Sequence, residues 1–571
     1  MDFQKLVEVY EELEQTSSGN AMREILATFL KRIPSKDIAM FTYLTLGEIS
    51  SGYEGVVLGL AEKSMVKAVS LAGGTDTSKV KKILKETGDI GLTAEKILQK
   101  KPQTLVPVGK LSVEEVFEKL QRVSEITGVG SQDDKSKILV TLLQKASPKG
   151  AKYVCRIVMG TLRMGVGDMT VLDALAIAYT GEKSNKDILE RAYNICPDAG
   201  IIAETLVEKG LKGLEKIDIH VGRPIKMMLA QRVENIEEVP EKMKGKIVVE
   251  GKYDGERVQA HKDKKGKINL FSRNLENITL QFPDLVNLLS ERIDAKEFVI
   301  EGEAIAIDEK GRPLPFQTLM QRRRKYDIQE FSEKIPIQIK LFDVLFCNGK
   351  SMLHEAHEQR LHLLEKIVQK NKQVTIADYI ITENIAEMDE FFQEMLKRGY
   401  EGIMMKVQSG EYQAGTRGWN WIKWKKEYAK EMADTFDVVI VGAYHGRGKR
   451  SGVYGALLCA AYNDTKDEFE TLCKLGTGLT DEVLEELPKK LEKYRVERKP
   501  ARLIVKKEME PEVWFEPQVV AEVLGAELTK SPFHTCGGGI ALRFPRLLKF
   551  RTDKKAEQAT TTKEIVGMMK K

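Results

Sequence analysis

The segment 246-KIVVEGKYDGERVQAHK-262 contains the feature on which the interpretation of this sequence depends. An apolar run at residues 247–249 leads into Lys252, and the turn 253–255 follows directly. Alternating apolar and polar residues resume after the turn, so the segment predicts two β-strands with a tight connection. Gly255 can take a positive φ, which would bring the backbone close to a ligand. A surface lysine needs no such setting, so Lys252 is predicted to be a nucleophile.

Length and composition limit the class of protein. A chain of 571 residues is too long for one hydrophobic core and predicts two to four domains. The net charge of +5 is too small to identify a nucleic-acid partner by itself. The start lacks a signal-peptide pattern and no apolar run approaches membrane-spanning length, which predicts a cytoplasmic protein without a membrane partner. Six scattered cysteines without a CxxC pair indicate a reducing compartment.

Three regions of the chain differ in their pattern of apolar residues and turns, which predicts a multidomain protein. Residues 1–219 carry apolar residues at helical spacing and predict an all-α N-terminal domain. Residues 220–427 mix strand-like runs such as FVIEGEAIAID with helical stretches and predict an α+β domain. Residues 428–571 show short alternating strands broken by Gly-rich turns, which predicts a C-terminal β-barrel of the OB-fold type.

Two further lysines are predicted to lie beside Lys252. In WNWIKWKKEY, strand alternation places Lys423 and Lys425 on one face, while Ile422 and Trp424 point the other way towards a core. An amine must be neutral to attack, and nearby cations disfavour its charged form. The same cations would bind the phosphates of a nucleotide.

Acidic residues near the predicted strands are candidates for a cation or for ribose hydroxyls. Glu301 and Glu303 share a face of one strand, and Glu401 begins another. Mg²⁺ prefers a few carboxylate oxygens together with phosphate. By contrast, HEAHEQRLH at residues 354–362 lacks the HExxH pattern and is predicted to be a solvated helix face.

The order of the motifs carries a resemblance to a known family. KYDGER, SRN, EGE, FDVL, EGIMMK, WIKWK and RTDK follow one another and resemble the covalent nucleotidyltransferase superfamily, most closely the ATP-dependent DNA ligases of the archaeal type. The resemblance extends to TLRMGVGDMTV in the helical region and implies that the domain formed by residues 1–219 binds DNA. It implies that Lys252 attacks the α-phosphate of ATP, that AMP passes to the 5′-phosphate of a nick, and that the 3′-hydroxyl then seals the strand with Mg²⁺, or possible Mn²⁺, present.

The resemblance also implies roles for particular residues. Glu250 would read the adenine amino group and Phe342 would stack on the ring. The ribose and phosphates would be held by Arg257, Arg273, Glu303, Arg417, Lys423 and Lys425. The metal would be held by Glu303 and Glu401, and the pyrophosphate motif would comprise Arg551, Asp553 and Lys554. Glu301 stands where the family usually has aspartate, and it is not expected to touch the reacting groups.

Nicked duplex DNA is the implied partner of a chain that acts as a monomer. A ligase works at any sequence, so most contacts should go to phosphate and sugar. Candidate contacts are Arg163, the run from Arg322 to Lys325 (Arg322, Arg323, Arg324 and Lys325), Arg447, Lys449 and Arg450. A sliding clamp is a partner that the family suggests, but LQKKPQTLV at residues 98–106 lacks an aromatic pair and is interpreted as a linker.

Two other functions remain open at this point. An RNA-capping guanylyltransferase uses the same lysyl-nucleotide chemistry, although the helical N-terminal region and RTDK favour a DNA ligase. A non-catalytic DNA-binding scaffold is the alternative outside enzymes, and the intact Lys252, Glu303, Lys423 and Lys425 argue against it. The sequence leaves open whether ADP, GTP or NAD also serves as donor.

Overall fold

The chain divides into two compact units, Met1–Ala429 and Lys430–Lys571. The structure, a computed structural model, describes residues 1–99, 110–128, 130–233, 235–322, 328–425, 435–446, 453–525 and 527–569. The helical and α+β regions fall within the first unit, and the boundary between them at residue 219/220 stays a prediction.

Helices account for most of the first two hundred residues, because apolar side chains recur on one face of most segments and a side-chain cap marks the start of seven of the twelve helices. Ser147 accepts a hydrogen bond from the Gly150 amide at 3.0 Å, and Pro148 occupies the first turn. The buried faces of these helices form one continuous apolar core. The helices are α1 Phe3–Gln15, α2 Gly19–Leu30, α3 Ile38–Leu46, α4 Glu62–Ala72, α5 Thr77–Thr87, α6 Ile90–Leu98, α7 Val113–Glu125, α8 Ser131–Lys145, α9 Pro148–Val158, α10 Asp168–Thr180, α11 Lys186–Ile195 and α12 Ala199–Glu215.

The α+β region contains two sheets with helices on their outer faces. Its helices are α13 Val239–Lys242, α14 Pro283–Arg292, α15 Phe316–Met320, α16 Ile328–Lys334, α17 His357–Ile367 and α18 Ile385–Lys397. Its strands are β1 Leu229–Arg232, β2 Ile247–Lys252, β3 Glu256–Lys262, β4 Ile268–Ser272, β5 Phe298–Ala306, β6 Ile337–Cys347, β7 Lys350–Ser351, β8 Val374–Ile376, β9 Tyr379–Thr382, β10 Gly402–Val407 and β11 Arg417–Lys425.

The tight turn 253–255 carries the chain from one sheet to the other. A five-stranded sheet has the order β1-β11-β10-β2-β9, and a six-stranded sheet has the order β4-β3-β5-β6-β7 with β8 beside β6. Strand β2 belongs to the first sheet and β3 to the second. An apolar cluster that includes Val299 and Leu345 from one sheet and Trp421 from the other packs between them.

The second unit is a sheet domain. Its strands are β12 Thr435–His445, β13 Tyr454–Asn463, β14 Glu468–Leu475, β15 Arg495–Val496, β16 Leu503–Ile504, β17 Val513–Leu524, β18 Glu527–Lys530, β19 Ile540–Arg543 and β20 Arg546–Phe550. Seven of them form the order β15-β17-β12-β13-β14-β16, with β20 beside β17, and β18 pairs with β19. Helices α19 Asp481–Glu492 and α20 Thr562–Met569 pack on this domain. The succession of helical, α+β and sheet regions predicted from the sequence is confirmed, whereas closure into an OB-fold barrel stays a prediction.

Two general expectations can be compared with the structure. Within the described ranges, no helix combines the length and apolar character needed to cross a membrane. All six cysteines are reduced and buried.

Arg322 is not the exposed DNA contact that the basic run QRRRK predicts. Its side chain is 1% exposed, and its guanidinium pairs with Asp284 and donates to Ser332 Oγ at 2.7 Å. It also lies over the Phe282 ring. The prediction for Arg322 is therefore wrong, because this arginine ties the segment after α15 to α14. Arg323, Arg324 and Lys325 lie outside the described residues.

Replacing Arg322 by Ala should lower the free energy of unfolding by about 2–3 kcal/mol, because it removes a buried ion pair and leaves polar groups without a donor. Asp284 is 30% exposed and can be rehydrated, which limits the loss. Urea unfolding followed by circular dichroism measures the change. Arg312→Ala is the matched control, since its pair with Asp308 is exposed and should cost under about 0.5 kcal/mol. An unchanged unfolding curve for Arg322→Ala would contradict the structural role.

Candidate active site

Lys252 is the last residue of β2, and the sheet register brings Lys425 towards it. In the five-stranded sheet, Gly402 on β10 is paired with Lys252 on one side and with Lys425 on the other. Lys252 and Lys425 therefore flank one glycine across adjacent strands. A β-carbon on Gly402 would lie 2.2 Å from the Trp424 carbonyl oxygen, so only glycine fits between them.

Glu401 holds the two ammonium groups together. Its Oε2 lies 2.6 Å from Lys252 Nζ and 2.9 Å from Lys425 Nζ. Burial acts to raise the pKa of Glu401, but the two lysines outweigh burial and hold that pKa below its usual value. The Lys252 side chain is 22% exposed, so the candidate nucleophile lies within the site and remains accessible to a substrate.

Further cations surround this pair. Burial lowers the pKa of Lys423, and the charges of Lys425, Lys252, Arg417 and Arg273 lower it further. Ile422 and Trp424 point to the opposite face, where Trp424 stacks on Phe392 of α18 at 4.1 Å between ring centroids. The alternation predicted for this strand is confirmed, and the cations lie in one field that suits a polyphosphate.

The turn after Lys252 requires glycine at position 255 for a reason different from the one predicted. Gly255 is absent from the residues with positive φ, so it does not adopt the conformation that glycine permits here. A β-carbon at Gly255 would instead lie 2.3 Å from the Ala304 carbonyl oxygen. Close approach of β5 therefore requires the glycine. Asp254 accepts a hydrogen bond from the Phe316 amide at 3.2 Å, and burial together with Glu401 raises its pKa.

Glu250 lies two residues before Lys252, on the same face of β2, and is 3% exposed. Its Oε2 is 2.7 Å from Lys406 Nζ. Its Oε1 has no hydrogen-bond partner among the described residues. A buried acceptor without a donor fits an incoming amino group, as the adenine of ATP would supply. Burial raises the pKa of Glu250, and Lys406 opposes that rise.

Cations lie against the ring of Phe342. Lys406 Nζ is 4.6 Å and the Arg257 guanidinium carbon is 5.4 Å from the ring centroid. Lys406 Nζ also donates to the Phe342 carbonyl at 3.3 Å. Phe342 is partly exposed, so stacking on a base stays a prediction that this position permits.

Glu301 takes a larger part in the site than the sequence predicts. It is fully buried, and its Oε2 lies 2.7 Å from Arg257 Nη2 and accepts from the Tyr412 hydroxyl at 3.0 Å. Arg257 also donates to the Met228 carbonyl at 2.7 Å. The residue that departs from the family pattern thus orients Arg257, although it does not touch Lys252.

The histidine-rich segment is not the solvated face that the sequence predicts. His357 and Arg360 on α17 are buried, whereas His362 is exposed. Arg360 binds Asp343 through two nitrogens at 2.7 and 3.2 Å. The prediction is wrong for the start of α17, because this end of the helix packs beneath the site.

Sequence patterns gave no role to Lys406, His357 or Tyr412. Lys406 has a local signal, because alternation in GIMMKV places it on the face shared with Met404. His357 and Tyr412 have none, because their contacts depend on how distant segments pack.

Glu303 is a partly buried carboxylate that a bound cation would stabilise. Burial raises its pKa to about 7, although Lys252 and Arg257 act to lower it. The negative charge of Glu401 acts to raise the pKa of Glu303 further. A divalent cation would compensate both carboxylates. In the described part of the chain, no group of three or more His, Cys, Asp or Glu is arranged to hold a metal by itself.

Comparison with family models covers all three regions of the chain. The model for the DNA ligase N terminus matches residues 2–176, the ATP dependent DNA ligase domain matches 227–425, and the ATP dependent DNA ligase C terminal region matches 450–554. This chain belongs to the ATP-dependent DNA ligase family. Its sequence is therefore that of a ligase enzyme of the archaeal type, and the resemblance drawn from the ordered motifs is confirmed.

Curated relatives match the enzyme over its full length. DNA ligase 2 of Thermofilum pendens is 44% identical over 589 residues, covering 100% of this chain and 97% of the relative. DNA ligase 1 of Methanosarcina acetivorans is 42% identical, covering 99% and 98%. The DNA ligase of Saccharolobus solfataricus is 44% identical, covering 100% and 98%.

Solved structures share the fold. The chain designated Pmar-Lig_Pre. has a TM-score of 0.55 at 18% identity and covers 96% of this enzyme and 99% of that chain. The chain designated Pmar-Lig_PreS3 has a TM-score of 0.54 at 19% identity, with coverage of 95% and 99%. At these identities the likeness concerns the fold alone.

The remaining predicted residues lie elsewhere in the ligase. Arg551 binds Asp553 at 2.7 Å and Asp437 at 3.3 Å, and Lys554 also binds Asp437. Arg163 has a φ of 60° and lies 3.2 Å from Asp89. Their roles towards pyrophosphate and DNA stay predictions.

Three basic candidates and the loop cannot be compared with the structure. Arg447, Lys449 and Arg450 lie outside the described residues. So does the loop interpreted as a linker from residue 100 onwards.

Glu303→Gln should stabilise the enzyme at pH 8 by about 2–3 kcal/mol and leave it nearly unchanged at pH 5. Because the folded pKa is raised to about 7, the folded state binds more protons than the unfolded state between about pH 4.5 and 7. Stability therefore falls as pH rises through that window, and glutamine escapes this loss. Urea unfolding without divalent cations measures it, with the exposed Glu309→Gln as control. A difference that does not change with pH would contradict the environment described for Glu303.

Proposed function

We propose that this ligase seals nicks in duplex DNA through a lysyl-AMP on Lys252 and then a DNA-adenylate. The observation that carries the proposal is the shared contact of Lys252 and Lys425 with Glu401, within a field of further cations. Such a field binds a triphosphate and disfavours an additional ammonium. The same arrangement argues against a non-catalytic scaffold, which has no need for an accessible amine at this place.

The first step joins Lys252 Nζ to the α-phosphorus of ATP. The ammonium loses a proton to water, the neutral nitrogen bonds to phosphorus and releases a second proton to water, the bond from phosphorus to the bridging oxygen breaks, and pyrophosphate leaves. Lys252 begins in an ion pair with Glu401, so that contact must open before attack. Lys423 and Lys425 then hold the phosphates in line, with Arg273 and Arg417 adding positive charge.

Glu303 and Glu401 are the residues that would hold Mg²⁺, with Mn²⁺ as a substitute. When bound, the cation supplies charge neutralisation for the phosphates. The fit rests on two partly buried carboxylates that act on each other electrostatically, one of which has a pKa near 7. Burial of Glu303 without a full counter-charge is costly, and a hard cation offsets that cost.

The later steps transfer AMP to the 5′-phosphate and join it to the 3′-hydroxyl, as DNA replication, repair and recombination require. Arg551, Asp553 and Lys554 are proposed to act on the pyrophosphate, and Arg163 to contact the nicked duplex. A sliding clamp remains a proposed partner. A monomer acting in the cytoplasm remains what the sequence predicts.

The geometry at Glu250 favours ATP over GTP and so argues against the capping-enzyme alternative. Glu250 Oε1 is a buried acceptor. Adenine offers an amino group at the 6-position of the purine, whereas guanine offers a carbonyl oxygen there. Two acceptors facing each other repel, so GTP is the poorer donor at this site.

Lys252→Ala should abolish covalent labelling by radiolabelled ATP, because Lys252 is the amine proposed to bond to the α-phosphorus, whereas Lys423 and Lys425 are proposed to hold the phosphates. The purified wild-type enzyme should carry one adenylate, and peptide mass spectrometry should map it to the peptide that contains Lys252. Lys264→Ala is the control, since Lys264 is exposed in the turn after β3 and should leave labelling unchanged. Undiminished labelling of Lys252→Ala would refute the assignment.

Nick sealing separates the remaining functions. Incubation with labelled ATP and a nicked duplex should give a sealed strand, whereas labelled GTP should give at least tenfold less enzyme-bound nucleotide. Preferred labelling by GTP without sealing would identify a capping-type enzyme. Absence of any covalent nucleotide would leave the scaffold.

A further inference from the structure

His357 lies beneath the base-reading carboxylate. It is the first residue of α17, its side chain is 1% exposed, and its Nε2 is 3.6 Å from Glu250 Oε1. That separation is too long for a hydrogen bond. Among the described residues, Glu250 Oε1 has no hydrogen-bond partner, and the His357 ring has no well-aligned one, although the Phe342 backbone lies close enough to act to raise the pKa of the ring. Buried polar atoms of this kind are uncommon in folded proteins and call for an explanation.

The surroundings fix both side chains. The His357 amide donates to the Gly410 carbonyl at 3.0 Å, and Arg360 one turn later binds Asp343 and the same carbonyl. Glu250 is held from its other oxygen by Lys406 at 2.7 Å. The start of α17 and the carboxylate therefore face each other across a gap that a movement of less than 1 Å would close to hydrogen-bond distance.

The imidazole in this place is neutral. Burial, assisted by the Lys406 charge, holds the pKa of His357 well below its usual value. A neutral imidazole has one N–H and one lone pair. Lys406 keeps a positive charge on the far side of Glu250, which favours the carboxylate form. An N–H facing a carboxylate is attractive and a lone pair is repulsive, so the proton belongs on Nε2.

We propose that His357 is a positioning residue for base selection, which donates from Nε2 to Glu250 Oε1 and keeps that oxygen an acceptor for a purine with an amino group at its 6-position. The proposal rests on the use of ATP at Lys252 and adds a determinant of specificity beyond Glu250. With both oxygens of Glu250 supplied with donors, protonation is disfavoured. A protonated Glu250 would donate to a 6-oxo purine and lose the discrimination.

Equilibrium binding tests the proposal without chemistry. In the Lys252→Ala background, isothermal titration calorimetry gives Kd for ATP and for ITP, which carries a 6-oxo group and no amine. ATP should bind roughly tenfold to a hundredfold more tightly, as expected for a hydrogen bond to a charged group. Adding His357→Met should reduce this ATP-to-ITP ratio by about tenfold, chiefly by weakening ATP.

Matched variants separate positioning from packing. Gln has nearly the shape of Met and keeps an N–H donor, so His357→Gln should hold the ratio within about threefold of the parent. His362→Leu, on the exposed face of the same helix, should leave it unchanged. If His357→Met does not fold, His357→Asn replaces it, because its donor is too short to reach Glu250 and the same loss is expected.

A ratio that stays at the parent value in His357→Met, or an equal loss for both nucleotides, would overturn the proposal and leave His357 a packing residue. The wild-type enzyme distinguishes this failure from failure of the proposed function. If ATP labels Lys252 but the ATP-to-ITP affinity ratio is unchanged in His357→Met, only the role of His357 is contradicted. If ATP does not label the enzyme at all, the proposed ligase function is contradicted.

Discussion

One carboxylate shared by two lysines is the contact on which the active site depends. Glu401 meets Lys252 and Lys425 from the strand between them, and Gly402 makes room for the three groups. Without this anion, adjacent ammonium groups in a partly buried cleft would repel one another. Glu401 thus keeps Lys252, the proposed nucleophile, in an ion pair. When this pair opens, the cation-rich pocket can bind phosphates.

A second layer of buried charges supports the pocket that is proposed to bind the base. Lys406 neutralises Glu250, Arg360 neutralises Asp343, and Arg257 is held by Glu301. Buried ion pairs contribute little net stability when they replace apolar packing. Their value here is geometric, because each one fixes a polar atom at the cleft between the two sheets. Glu250 Oε1, one of the buried polar atoms without a hydrogen-bond partner in the described part of the chain, lies where a base is proposed to bind.

Features that depend on the local sequence, such as the alternation of side chains along a strand, could be predicted from the sequence. Alternation in β11 correctly predicted that Lys423 and Lys425 lie on one face of the strand, and the ordered motifs identified the family. Contacts between distant segments escaped prediction. Arg322 sits in a basic run, yet Asp284 on α14 draws it into the interior. Gly255 is required by the approach of β5, which no turn preference reveals.

The most direct test of the central claim is a pair of high-resolution crystal structures, of the free enzyme and of its complex with a non-hydrolysable ATP analogue. The account predicts that Lys252 Nζ contacts Glu401 in the free enzyme and stands about 3–3.5 Å from the α-phosphorus in the complex, with Lys423 and Lys425 on the phosphates. A Lys252 side chain directed into bulk solvent in both crystals, with the phosphates bound elsewhere, would contradict it.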